Sequence, residues 1–110
     1  MMKKIITLSA GFLLALSSDA FAAEGHGKAA LEHASAAAKG ANAAECKTHA
    51  GVALEHSLAS ALVLKGAAKN HMEAASQHLE EAVNHGNMGH LDVCKQHVDA
   101  AIAEIQTANK

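Results

Sequence analysis

Apolar residues recur three and four positions apart through most of the chain, the spacing of one face of an α-helix. The clearest stripe is Leu91, Cys94, Val98, Ala101 and Ile105, with Ile102 beside it. A second runs through Met72, Ala75, Leu79, Ala82 and Val83. Each is flanked by charged and polar residues, the pattern of a helix with one face turned to a core. Between Leu58 and Leu64 the chain is apolar nearly all round, which predicts either the deepest packing or a dimer contact. Glycine and asparagine interrupt these stripes. The breaks predict helices over residues 28–39, 43–65, 69–85 and 90–107, with Gly86 as the residue that ends the third. Short links favour antiparallel neighbours, so the expected fold is all-α, an up-down four-helix bundle built from two helical hairpins.

The two hairpins look like copies at an offset of 48 residues. Leu31-Glu32 aligns with Leu79-Glu80, and Ala34 with Ala82. Cys46-Lys47-Thr48-His49 aligns with Cys94-Lys95-Gln96-His97. Alanine-rich sequence gives chance matches, so the repeated CKxH carries most of the weight.

The first 22 residues follow a different rule. Lys3 and Lys4 precede an apolar run from Ile5 to Leu16, too short to span a bilayer. Ala20-Phe21-Ala22 has the form of a leader cleavage site. Residues 1–22 are therefore expected to be a signal peptide cut after Ala22, with position 23 the next choice. Residues 23–110 are expected to be one domain in the periplasm of a Gram-negative bacterium, delivered by the Sec route. No other run is of membrane length, so no membrane contact is expected after cleavage.

Composition narrows the core and the partners. Both phenylalanines, Phe12 and Phe21, lie in the leader, and the chain has no Tyr, Trp or Pro. The domain must pack on Leu, Val, Ile, Met and much Ala. Alanine buries little area, at about 25 cal/mol per Å², so a small core of this kind is marginal. A ligand that binds only the folded state would stabilise it by mass action. There is no Arg, and acidic residues outnumber lysines 11 to 9. That balance argues against a nucleic-acid partner, which needs a basic face, and suits cations.

Nine histidines then demand an explanation. His71, His78 and His85 are seven apart, as are His90 and His97, His26 and His33, and His49 and His56. Seven residues make two helical turns, so each set projects from one face at intervals of about 10.5 Å. Neutral imidazole suits copper, nickel and zinc. Two ligands about 10 Å apart cannot share an ion, so a site needs partners at i+3 or i+4, or on another helix. Local sets exist: Glu45 with His49, Glu81 with His85, Cys46 with His49, and Cys94 with His97. His85 and His90 flank one tight turn that also holds Met88. Two imidazoles and a thioether are a mix that favours copper. A row of imidazoles beside a core would also charge and repel below about pH 6.5.

Cys46 and Cys94 leave two readings open. Two cysteines in an exported protein usually form a disulfide. Helices 2 and 4 are diagonal in a square bundle, however, and bonded Cα atoms must lie within about 7 Å. The other reading is thiolate ligation of Cu(I) by the two CKxH sets.

The phrases LEHASAAAKG, VALEHS, HLEEAVNHGNMGH and VCKQHVDAAI, with histidines in heptad register and small residues between, resemble the small metal-binding protein family of exported, His-rich four-helix bundles. The resemblance spans residues 23–110. It implies periplasmic binding of several divalent metals, Cu(II) foremost with Ni(II) and Zn(II), for buffering, storage or detoxification. It implies His26, His33, His49, His56, His71, His78, His85, His90 and His97 as ligands. The sequence departs from the family by two cysteines and by fewer histidines in its first half and at its C-terminus, so capacity is expected mainly in the second hairpin. Other classes fit less well. A haem protein would carry CxxCH or aromatic residues to pack a porphyrin, and residues 23–110 have neither. An enzyme is not expected, because no nucleophile–base arrangement is present. A structural or interaction protein using the apolar face of helix 2 is the alternative. The expected state is a monomer or weak homodimer with metal ions as partners.

Overall fold

The computed structural model describes residues 19–110, with side chains from Glu24 onward. The expected leader lies outside the described residues except for the backbone of its last four. Four helices follow in order: α1 Asp19–Ala38, α2 Ala43–Val63, α3 Gly66–Asn87 and α4 Leu91–Ala108. Each packs on the next, and α4 closes the ring against α1. Among the described residues α2 and α4 also meet across the diagonal, whereas α1 and α3 do not. The result is the expected all-α, up-down four-helix bundle. Among the described residues no helix is long and apolar enough to cross a membrane.

Why these residues make helices is mostly a matter of what is missing. No proline interrupts them. Alanine, glutamate, leucine and lysine lose little freedom in a helix. The start of α2 has a reciprocal cap. The Asn42 side chain accepts from the Glu45 N–H at 2.9 Å, and the Glu45 carboxylate accepts from the Ala41 N–H at 2.8 Å. Glu45 is thereby committed to the cap rather than to His49.

Four boundaries differ from the sequence expectation by two residues or more. α1 is already helical at Asp19, the first described residue, rather than starting at residue 28. Glycine inside a helix costs only about 1 kcal/mol relative to alanine, so Gly25 and Gly27 do not stop it. The Asn109 side chain donates to the Gly27 carbonyl at 3.1 Å, which ties the start of α1 to the end of α4. α2 stops at Val63, and α3 begins as early as Gly66. There the Lys69 ammonium donates to the Ala61 carbonyl at 2.6 Å, satisfying an acceptor in the last turn of α2.

The fourth is the end of α3, which Gly86 does not set. The helix runs on through Asn87, and Gly86 is buried within it. A Cβ at Gly86 would lie 2.7 Å from the Lys47 Cβ and 3.2 Å from the Ala43 carbonyl oxygen of α2. Gly86→Ala is therefore expected to destabilise the fold. Overpacking costs about 1–3 kcal/mol, which outweighs the roughly 1 kcal/mol that alanine gains in a helix. Thermal unfolding checks this: a melting temperature that rises would show the contact to be soft.

The core is lopsided. Its large fully buried side chains, Met72, Leu79, Val98 and Ile105, all come from α3 and α4. From α1 come Ala30, Ala34 and Ala37, and from α2 come Ala50, Ala53 and Ala61 with Cys46 and two serines. Leu58 and Leu62, in the run expected to be either deep packing or a dimer contact, are 52% and 81% exposed, so they are not deep packing. The core face of that part of α2 is instead Ser57, Ser60 and Ala61. The hydroxyls of Ser57 and Ser76 lie 2.7 Å apart, each within reach of a carbonyl of its own helix, so the buried pair is satisfied.

Cys46 and Cys94 are joined by a disulfide, fully buried, with Cα atoms 6.5 Å apart. Small neighbours such as Ala50, Ala53 and Ala101 let the diagonal helices approach this closely. Each cysteine stands four residues after its helix cap, Asn42 or His90, so the bond joins equivalent turns of the two hairpins. It leaves no thiolate for Cu(I), and the CKxH ligand sets are not available in this form.

Candidate metal centre

The histidine rows face one another in pairs within each hairpin. In an antiparallel pair, a step of seven residues forward on one helix matches seven back on the other. In the second hairpin this gives three rungs. His71 Nδ1 lies 2.6 Å from Glu104 Oε1. His78 and His97 bring their Nδ1 atoms to 3.5 Å. His85 and His90 bring theirs to 3.4 Å. The rungs are cross-linked, because His85 also stacks on His97 with centroids 5.6 Å apart. The first hairpin repeats the design with two rungs. His26 and His56 stand 3.0 Å apart between Nδ1 atoms, and the centroids of His33 and His49 are 6.4 Å apart. His33 stacks on His56 at 5.7 Å and links them.

Each imidazole row thus becomes half of a zigzag along one edge of its hairpin, half-buried except at His90, which is exposed. In the second hairpin Glu81, on α3 one turn before His85, joins it. Ligand atoms of Glu81, His85 and His97 all lie within 4.8 Å of one another. Ligands held about 2.0–2.1 Å from an ion stand about 3 Å apart, so small side-chain rotations would close the set on one metal. Two imidazoles and a carboxylate suit zinc, nickel or copper. The Glu81 carboxylate also lies 4.0 Å from His85 Nε2, and the two are 56% and 28% exposed. The site is therefore open on its solvent side.

The turn between α3 and α4 explains why His85 and His90 meet. Gly89 has φ +79°, a left-handed conformation that glycine adopts without penalty. The His90 N–H then reaches back to the His85 carbonyl at 2.9 Å, and the Gly89 N–H to the Gly86 carbonyl at 3.0 Å. These are the two bonds of a Schellman motif. That motif commonly brings together the side chains at its first and last positions, here two imidazoles rather than two apolar groups. Met88, at the cap of α3, is exposed.

All nine histidines expected as ligands fall on these two zigzags, His71 on a carboxylate rather than on another histidine. Of the pairs between helices, only His85 with His90 was read from the sequence; His78 with His97, the pairs of the first hairpin and Glu104 were not. The matched heptad steps on successive helices were the available signal.

Burial pushes the imidazoles of His33 and His56 below the usual histidine range. Neighbouring imidazoles add to this: His49 for His33, and His26 then His33 for His56, while Glu32 opposes the shift at His33. Both groups resist protonation in the folded state but take it up in the unfolded chain. Their contribution to stability is therefore complete above the unfolded value of about 6.5 and is lost as pH falls through the folded values. The melting temperature of the metal-free protein is expected to fall on acidification below pH 6.5. A melting temperature that is flat or rises there would contradict the burial of these two rings.

The family model for small metal-binding proteins matches residues 2–108, nearly the whole chain. The chain belongs to the small metal-binding protein family. A comparison with curated proteins gave no match. Membership of a small metal-binding protein family indicates a binding rather than a catalytic role, and it names metal ions as partners. Within this member of the small metal-binding proteins, Glu81, His85 and His97 are the three His or carboxylate side chains that the fold, among the described residues, brings closest to a ligand set.

Proposed function

We propose that this protein binds divalent transition metals in the periplasm, copper foremost with nickel and zinc, and buffers, stores or detoxifies them there. The convergence of Glu81, His85 and His97 within 4.8 Å supports this reading most directly. The mechanism is reversible coordination between the two helices of a hairpin. A proton leaves whenever a protonated imidazole becomes a ligand. Copper leads because, among divalent metals of the first row, it binds nitrogen-rich sites most tightly. Calorimetric titration of residues 23–110 with Cu(II) tests this at about pH 7.5 and again at about pH 5. Several equivalents are expected at the higher pH, with much weaker binding at the lower, where most imidazoles are protonated. Affinity that does not change between them would contradict a histidine mechanism.

A second reading has its own observation. Leu58 and Leu62 are exposed side by side on α2, one helical turn apart. An interaction protein would use that face. Leu62→Glu should abolish self-association under this second reading and leave metal binding untouched under the first. Light scattering with and without copper separates them.

A further inference from the structure

We propose that removal of the leader completes a further copper site, in which the α-amine of Ala23 joins His26 and His56. The proposal rests on the export reading above and goes beyond it: the amine is a ligand that the precursor does not have. His26 and His56 hold their Nδ1 atoms 3.0 Å apart, the closest nitrogen pair among the described imidazoles. That separation is about what two adjacent ligands of one ion require. Two imidazoles alone leave a copper ion short of donors, and no carboxylate of the described residues joins this pair in a three-ligand group.

The missing donor is supplied by position. His26 lies in α1, whose backbone continues unbroken through Ala23 back to Asp19. Side chains on an α-helix lean toward its N-terminus and cover the turn before their own Cα. The turn that precedes His26 contains the peptide bond between Ala22 and Ala23. Three residues of helix rise about 4.5 Å, so the Ala23 nitrogen sits within one turn of the His26 ring. Hydrolysis of that bond puts the hydroxyl of water on the Ala22 carbonyl, which departs with the leader. Ala23 keeps its nitrogen as a free amine, which sheds its proton to solvent on coordination. Before cleavage the same nitrogen is a planar amide without a basic lone pair. After it, the amine adds a third nitrogen donor beside the imidazole pair, and a nitrogen set of this kind suits Cu(II) in a tetragonal arrangement. Glu24 and Gly25 are both exposed, and a Cβ at Gly25 would meet nothing within 4 Å. The approach from solvent is open.

The test uses the chain beginning at Ala23, with His85→Gln and His97→Gln to silence the second hairpin, against the same chain acetylated at its N-terminus. Cu(II) is added in competition with a chelator, at a pH near the ordinary α-amine value of about 8. Acetylation is expected to weaken the first equivalent by at least about tenfold, the loss typical when a supporting group of a metal site is removed. In the free-amine chain, labelling alanine alone with ¹⁵N should alter the nitrogen splitting of the Cu(II) electron paramagnetic resonance spectrum, because Ala23 is the source of the label. Equal affinity after acetylation, with a spectrum indifferent to the label, overturns the coordination. An exported protein whose mass shows a first residue other than Ala23 overturns the maturation step. Neither result bears on Glu81, His85 and His97, whose binding is read by titrating the unsubstituted chain with Zn(II).

Discussion

His85→Ala should remove the tightest metal site of the second hairpin and its neighbour together. The reason is that His85 serves two partnerships. It converges with Glu81 and His97 within 4.8 Å, and its Nδ1 stands 3.4 Å from that of His90. Loss of a group that merely supports a ligand costs about 10–100-fold in affinity, so loss of the shared ligand is expected to cost at least about 100-fold. The comparison with His90→Ala is informative. That change breaks only the turn pair and should leave the three-residue site with most of its affinity. If His90→Ala proves as damaging as His85→Ala, the tight site lies in the turn. His85 is half-buried at the edge of the bundle rather than in its core, so circular dichroism should show both variants folded.

Breaking the disulfide is expected to have the largest effect on stability. The Cys46–Cys94 bond closes a separation of 48 residues, and a loop of that length restricts the unfolded chain by about 4 kcal/mol. Small domains are stable by only about 5–15 kcal/mol, and this one fills α1 and α2 with alanine. At about 4–8 °C per kcal/mol for a domain of this size, Cys46→Ala with Cys94→Ala should lower the melting temperature by roughly 15–30 °C. Alanine matches the neighbouring core positions, so the change adds little strain of its own. Saturating zinc should restore part of the loss, because metal binds the folded chain. A melting temperature within a few degrees of the parent would mean that packing, not the cross-link, holds α2 to α4.

How legible all this was in the sequence depends on which interactions are local. The stripes of α3 and α4 appear in the structure nearly as read, because Met72, Leu79, Val98 and Ile105 are large enough to declare a face. α2 was harder. Its leucines look like core, yet the structure turns Leu58 and Leu62 outward and buries Ser57 and Ser60, with Ser57 against Ser76 of α3, because spacing within one helix does not show which face its neighbours cover. Gly86 looked like a stop for the same kind of reason. A glycine that ends a helix and one that lets another helix approach are the same letter, and Gly89 takes the first role while Gly86 takes the second. The histidine row was plain from heptad spacing, but its chemistry is not contained in one helix. Which imidazole meets which depends on turn length and helix rotation, which place His97 against both His78 and His85, and put Glu104 rather than histidine opposite His71.

The central claim is that an ion sits between α3 and α4 on imidazoles from both. Its most direct test is a long-range proton–nitrogen NMR spectrum of the histidine rings during titration with Zn(II), which is diamagnetic and so keeps every ring visible. The first equivalent is expected to shift ring nitrogens of His85 and His97 together, with the others following later. If the first equivalent leaves those two unmoved, or moves no imidazole at all, the metal is not held there and the account of the site is wrong.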